Sequence, residues 1–137
     1  MRKERSRGVG TLTDAQLKAK IISALRKLSM SWKPISEKRK STRSGRKMEG
    51  LRGRAVLEHK CEKCGTGHPS KGIKVDHIEP VVPTEGWGDT TEWLGVNWNE
   101  YLSRLFVEMD GLQAICYDCH AGKTEKENSD RRSIRRK

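Results

Sequence analysis

Phenylalanine occurs once in 137 residues and tyrosine twice, and apolar residues of all kinds reach only 33%, against 34% charged. So small a supply of core excludes a second sizeable domain and leaves one small domain with flanking arms. A thin core of this kind usually needs a staple, either a metal or disulfides. No apolar run approaches the roughly 18 residues that read as a membrane span. The opening MRKERSRGVG has no apolar signal segment. A soluble, cytoplasmic protein with reduced thiols and no membrane partner is therefore expected.

Acidic residues are scarce at both ends. Residues 1–54 carry 17 Lys/Arg and 4 Asp/Glu, residues 55–122 carry 5 and 11, and residues 123–137 carry 7 and 3, within a net charge of +11. Two basic arms thus flank an acidic centre. Basic arms suit a polyanion, because each neutralised phosphate releases counterions; the alternative is a solvated basic tail. Arg39, Lys40, Arg43, Arg46 and Lys47 are the candidate phosphate contacts of the first arm. An acidic centre repels DNA unless some of its carboxylates hold a cation.

Residues 1–10 read as disordered. Thr13 and Gln16 form a capping-box pattern, and Leu17, Ile21, Leu25 and Leu28 recur at helical spacing. That helix should stop before Pro34. Residues 36–54 read as a linker or partly helical arm that orders on nucleic acid. Short strands are expected over 73–78 and 112–115. A helix capped by Asn97 and Glu100 is expected from Trp98 to about Val107, and another after Cys119 to about Asn128. Three of the four tryptophans (Trp87, Trp93, Trp98) lie in the 84–109 segment, where packing against the core is favoured over base stacking. Trp32 is expected to dock back on the core. His59 and His68 read as exposed loop residues.

The cysteines fall as CEKC (61–64) and CYDC (116–119). Two such pairs can present four thiolates around Zn²⁺, and none is left over. Two disulfides or a redox pair are the competing readings, disfavoured in a reducing compartment. A closed four-cysteine site has no open position, so its zinc would be structural.

In VDHIEPVV (75–82), Asp76 and His77 stand side by side at the end of a strand and point to opposite faces. His120 follows Cys119 directly, so the second knuckle positions it. A carboxylate and an imidazole on rigid elements make a sparse site for a divalent ion, completed by water and substrate. The plain alternatives are a surface Asp–His pair and a histidine that merely neighbours the zinc.

Taken together, Cys-x-x-Cys, then V-D-H-I-x-P-V, then L-Q-x-I-C-x-x-C-H-x-x-K-T resemble the HNH endonucleases, in particular the small zinc-containing type common in bacteriophage genomes. The resemblance covers residues 55–127. It implies an α+β fold: a small ββα-metal (His-Me finger) core stapled by a four-cysteine zinc site, with a basic N-terminal helical arm. It implies three regions: a helix and DNA-binding arm over 1–54, a nuclease core over 55–128 with an insertion at 84–109, and a basic tail over 129–137. By the same resemblance His77 is the general base, Asp76 and His120 bind a catalytic Mg²⁺, Mn²⁺ or other divalent cation, and Cys61, Cys64, Cys116 and Cys119 bind zinc. Lys123 falls where the family has a basic residue near the phosphates. DNA is the implied substrate, as a homing-type or packaging-associated nuclease acting as a monomer or weak dimer, with phage packaging proteins as further partners. One position departs from the pattern: Gly111 stands where the family has the Asn that braces the loop carrying the base. Asp110, Asn97, Asn99 or the insertion would then have to brace His77. A zinc-stabilised DNA-binding module without catalysis and an RNA-binding zinc protein are the alternative functions.

Overall fold

A helix with a complete capping box follows a short strand pair. In the computed structural model, which describes residues 6–7 and 11–136, the Thr13 hydroxyl accepts the Gln16 backbone N–H at 3.2 Å, and the Thr13 N–H donates to Gln16 Oε1 at 3.0 Å. Both orphan donors of the first turn are thereby satisfied, and helix α1 runs over Asp14–Ser29. Ahead of it, β1 (Ser6–Arg7) pairs antiparallel with β2 (Leu12–Thr13). The remainder of the expected disorder over 1–10 lies outside the described residues.

Pro34 starts a helix instead of merely bounding one. It sits in the first turn of α2 (Lys33–Ser41), where a missing N–H costs nothing. Residues 36–54 are therefore not a linker: α2 is followed by β3 (Arg43–Glu49), a turn, and β4 (Ala55–Lys60). The β3–β4 hairpin crosses the expected division at 54/55, and β5 (Gly67–Pro69) pairs on the other side of β4. Apart from Met48, β3 carries no large apolar residue and shows no alternation to read, so only its partner strand makes it a strand.

The second sheet is the antiparallel pair β6 (Ile73–His77) and β7 (Leu112–Cys116), followed at once by helix α4 (Tyr117–Arg135). Its register sets Ile73 opposite Cys116, Asp76 opposite Gln113 and His77 opposite Leu112. α4 continues past Asn128, so residues 129–135 are its last turns and not a separate tail; Arg132 and Arg135 suit the negative end of the helix dipole. Between β6 and β7 lies helix α3 (Trp98–Leu105), where Asn97 Oδ1 accepts the Glu100 N–H at 3.1 Å. The molecule is thus a small mixed α+β domain. Among the described residues no helix is long and apolar enough to cross a membrane.

Two small cores hold these elements. Cys61, Ile73, Ala114, Ile115 and Cys116 form one, under the β6–β7 pair. Val96, Tyr101 and Leu105 form the other, covered by Ile22 and Leu25 of α1 and by Trp87, Trp98 and Phe106. Trp87 and Trp98 therefore pack the insertion around Tyr101, whereas Trp93 is 50% exposed and meets the ring of Trp98. Leu28, expected on the buried face of α1, is 60% exposed, because the helix ends one residue later. Trp32 does dock: its indole N–H donates to the Val107 carbonyl at 2.7 Å, and its ring meets Phe106 edge-on.

Candidate functional site

The four cysteines converge. Their sulfurs all lie within 4.8 Å of one another, and Cys64 Sγ stands 3.8 Å from Cys116 Sγ. Four sulfurs at about 2.3 Å from one tetrahedral centre sit about 3.8 Å apart, so the cluster has the dimensions of a four-thiolate metal site. All four thiols are free. Glu62, within the first knuckle, clamps it to β7: its backbone N–H donates to the Ala114 carbonyl at 3.0 Å, and its carboxylate accepts the Ala114 N–H at 2.9 Å. Lys38 of α2 pairs with the same carboxylate at 3.1 Å.

Electrostatics prepare the cluster for a cation. Burial pushes the Cys61 thiol up, but backbone N–H groups of Cys64, Cys116 and Lys63 outweigh it and bring the group down from 9.0 to about 6. A bond to the Thr66 hydroxyl lowers Cys64 as well. Cys119 is pushed up to about 12, first by Cys116 beside it and then by burial and the other sulfurs. Crowded sulfurs cannot all ionise alone. A divalent ion reverses that balance, because it makes each thiolate favourable.

On the face of β6 toward α4, Asp76 Oδ1 lies 3.9 Å from His120 Nε2, and both side chains are roughly three-quarters covered. That gap exceeds a hydrogen bond. Two donors on one divalent ion at about 2.1 Å sit about 3 Å apart when adjacent, so a small closure would let the pair share an ion. Lys123, one turn along α4 from His120, donates to Asp76 Oδ2 at 2.6 Å, to the His77 carbonyl and to Glu127 at 3.1 Å. It neutralises Asp76 and pins the strand end, leaving Oδ1 toward His120.

His77 is held apart from that pair. Its Nε2 lies 2.9 Å from the carbonyl oxygen of Leu105. A carbonyl only accepts, so Nε2 must carry the proton, and in the neutral ring Nδ1 keeps its lone pair. Leu105 ends α3, where the last carbonyls lack helical partners, so the insertion supplies an acceptor from its orphaned end. Arg104 fixes the same junction from α3, with Nη1 on the Pro80 carbonyl at 2.9 Å and Nε on Glu100 at 3.0 Å. Arg131 of α4 donates to the Val82 carbonyl at 2.9 Å. These backbone-directed contacts have no motif by which sequence could announce them.

Gly111 braces the strand end through its main chain: its carbonyl accepts the Ile78 N–H at 3.0 Å. A Cβ at this position would come 2.9 Å from Val107 Cβ, so no asparagine fits without moving the turn. Gly111→Asn is accordingly expected to destabilise the fold by about 1–3 kcal/mol, as overpacking does, and not to raise any activity. A urea melt measures the first and a nicking assay the second.

Two expectations outside this site are corrected. His59 is buried at 3% exposure, and its Nδ1–H donates to the Arg39 carbonyl at 3.0 Å, beside the Thr42 hydroxyl at 3.2 Å. β4 turns it inward. Arg39 is half-buried and directs Nη1 to the Ser70 and Ile73 carbonyls at 2.7 and 2.8 Å, which ties α2 to the start of β6. Lys40, Arg43, Arg46 and Lys47 are exposed, whereas His68 is half-buried and bonded to the Thr66 hydroxyl. Comparison with protein-family models, with curated proteins and with solved structures finds no match to this chain.

Proposed function

We propose that the chain is a metal-dependent phosphodiester hydrolase. Within that class it is read as an HNH-type DNA endonuclease whose four-cysteine cluster holds a structural zinc. The observation that carries the reading is the pairing of Asp76 with His120 across 3.9 Å, next to a histidine whose Nε2 is tied to Leu105. His77 Nδ1 takes a proton from water, and the resulting hydroxide attacks phosphorus in line with the departing 3′ oxygen. Asp76 and His120 would hold a Mg²⁺ or Mn²⁺ ion, which supplies charge stabilisation for the pentavalent transition state. Lys123 holds Asp76 in place and keeps Oδ1 directed to His120. The products are a 5′-phosphate and a 3′-hydroxyl.

A supercoiled plasmid incubated with the zinc-loaded protein and Mg²⁺, Mn²⁺ or Ni²⁺ should convert to the nicked form, and a control without added cation should not. Absence of nicking with every ion would sink the reading. Asp76→Ala is expected to lose activity and to regain part of it at high cation concentration, since a weakened site fills by mass action. A titration of nicking against Mn²⁺ measures this. The second reading, a DNA-binding module without catalysis, draws on Lys123 already engaging Asp76 Oδ2 and on the absent family asparagine at Gly111.

A further inference from the structure

A basic groove of about 750 Å³ lies between α2 and the β3–β4–β5 sheet, away from the metal-site candidates. Its floor is apolar, with Val56, Leu57 and Pro69, and its rim is cationic, with Lys40, Arg43, Arg52, Arg54 and Lys71. No Asp, Glu, Phe, Tyr or Trp lines it, and the one ring, that of His59, is buried at 3% exposure. At its outer edge the β3–β4 hairpin turns tightly: the Gly50 N–H donates to the Arg54 carbonyl at 2.7 Å and the Gly53 N–H to the Gly50 carbonyl at 3.0 Å. Gly53 sits at φ +75, a conformation that side chains rarely adopt. The turn presents Leu51 at 84% exposure, followed by exposed Arg52 and Arg54.

We propose that this groove and hairpin form a DNA arm: the groove takes the sugar–phosphate backbone of a duplex, and the tip enters the minor groove with Leu51 as a wedge between base pairs. Phosphates meet the cationic rim, and the apolar faces of the deoxyriboses meet the floor. Arginines suit a narrow minor groove because its negative potential is enhanced there. A single apolar side chain among arginines is the arrangement by which minor-groove proteins unstack one step and bend DNA. A single strand with splayed bases would look for exposed aromatic platforms, and the only ring lining the groove, His59, is buried. An acidic amphipathic helix matches the charge but leaves the projecting Leu51–Arg54 tip without a role.

The arm rests on the nuclease reading only for its position. Lys71 precedes Asp76 by five residues, so the groove ends within roughly 17 Å of it, about five base pairs along a duplex. Bound DNA should therefore be protected on one side of the cut.

The test uses zinc-loaded protein and a 30-base-pair A·T-rich duplex with a dye at each end, without added Mg²⁺ or Mn²⁺. Energy transfer should report bending on binding, and netropsin, a minor-groove ligand, should compete. Arg52→Ala with Arg54→Ala should weaken binding on the order of tenfold and lower the salt slope by about 2. Leu51→Ala should lose most of the bending while affinity changes less. A circular dichroism melt shows that these tip variants fold. Binding without bending, indifference to netropsin, or tighter binding of a Glu/Leu-rich helical peptide or of a single strand overturns the arm. Bending that persists in a protein unable to nick with any cation sinks the nuclease reading and leaves the arm standing.

Discussion

His77→Ala is expected to lower plasmid nicking by on the order of 10²–10⁴-fold, the usual share of a general base, while duplex affinity stays within about twofold. The ring is tied by Nε2 to Leu105, which leaves Nδ1 as its proton acceptor at the end of β6. Binding should survive because the cationic residues lie elsewhere, on β3, the hairpin tip and α2. A gel assay of nicking and a fluorescence anisotropy titration separate the two effects. A variant that still cut at the original rate would exclude His77 as the base and would require another proton acceptor near Asp76.

Removal of the zinc proposed for the four-cysteine cluster is expected to unfold the domain, and Cys116→Ser should do the same. Structural zinc contributes about 10–16 kcal/mol of apparent binding free energy at pH 7 in small domains, which is comparable to the about 5–15 kcal/mol of total stability typical of a folded domain. Here the loss would be felt directly in a core, because Cys61 and Cys116 are themselves buried among Ile73, Ala114 and Ile115. Two polar, uncompensated sulfur sites would remain where the first knuckle meets β7. Titration with a chelator, followed by circular dichroism, should show helix and zinc lost together. Loss of zinc with an unchanged melt would overturn the structural role.

Acid should release the ion. Cys61 is held below its ordinary value, so in the metal-free chain it contributes stability in full above pH 9.0, and that contribution is lost as pH falls through about 6. Cys119 runs the other way: raised to about 12, it contributes in full below pH 9.0 and loses that contribution as pH rises toward 12. A bound cation needs both as thiolates, so protons compete with it throughout. A chromogenic zinc indicator should register release as the pH is lowered, because protons and the cation compete for the same sulfurs.

Sequence alone determined the elements whose signals are local. The Thr13–Gln16 capping box, the Asn97 cap, the two short strands (expected over 73–78 and 112–115, observed over 73–77 and 112–116) and the two cysteine pairs are readable because each depends on residues a few positions apart. The nearness of Asp76 and His120 was legible too, since the second knuckle places His120 at the head of α4 and β6 pairs with β7. Tertiary structure decided the rest. β3 exists because β4 lies beside it, and its largely polar sequence carries no period of its own. His59 and Arg39 turn inward because strand pairing and α2 packing find them carbonyl partners more than thirty residues distant or across a sheet edge. The orientation of His77 comes from an orphan carbonyl at the end of α3, and a main-chain acceptor leaves no mark in the residue type that bears it. Gly111 shows the same division. As a sequence it is a missing asparagine; in the fold it is the residue small enough to pass Val107 while its own carbonyl braces the strand.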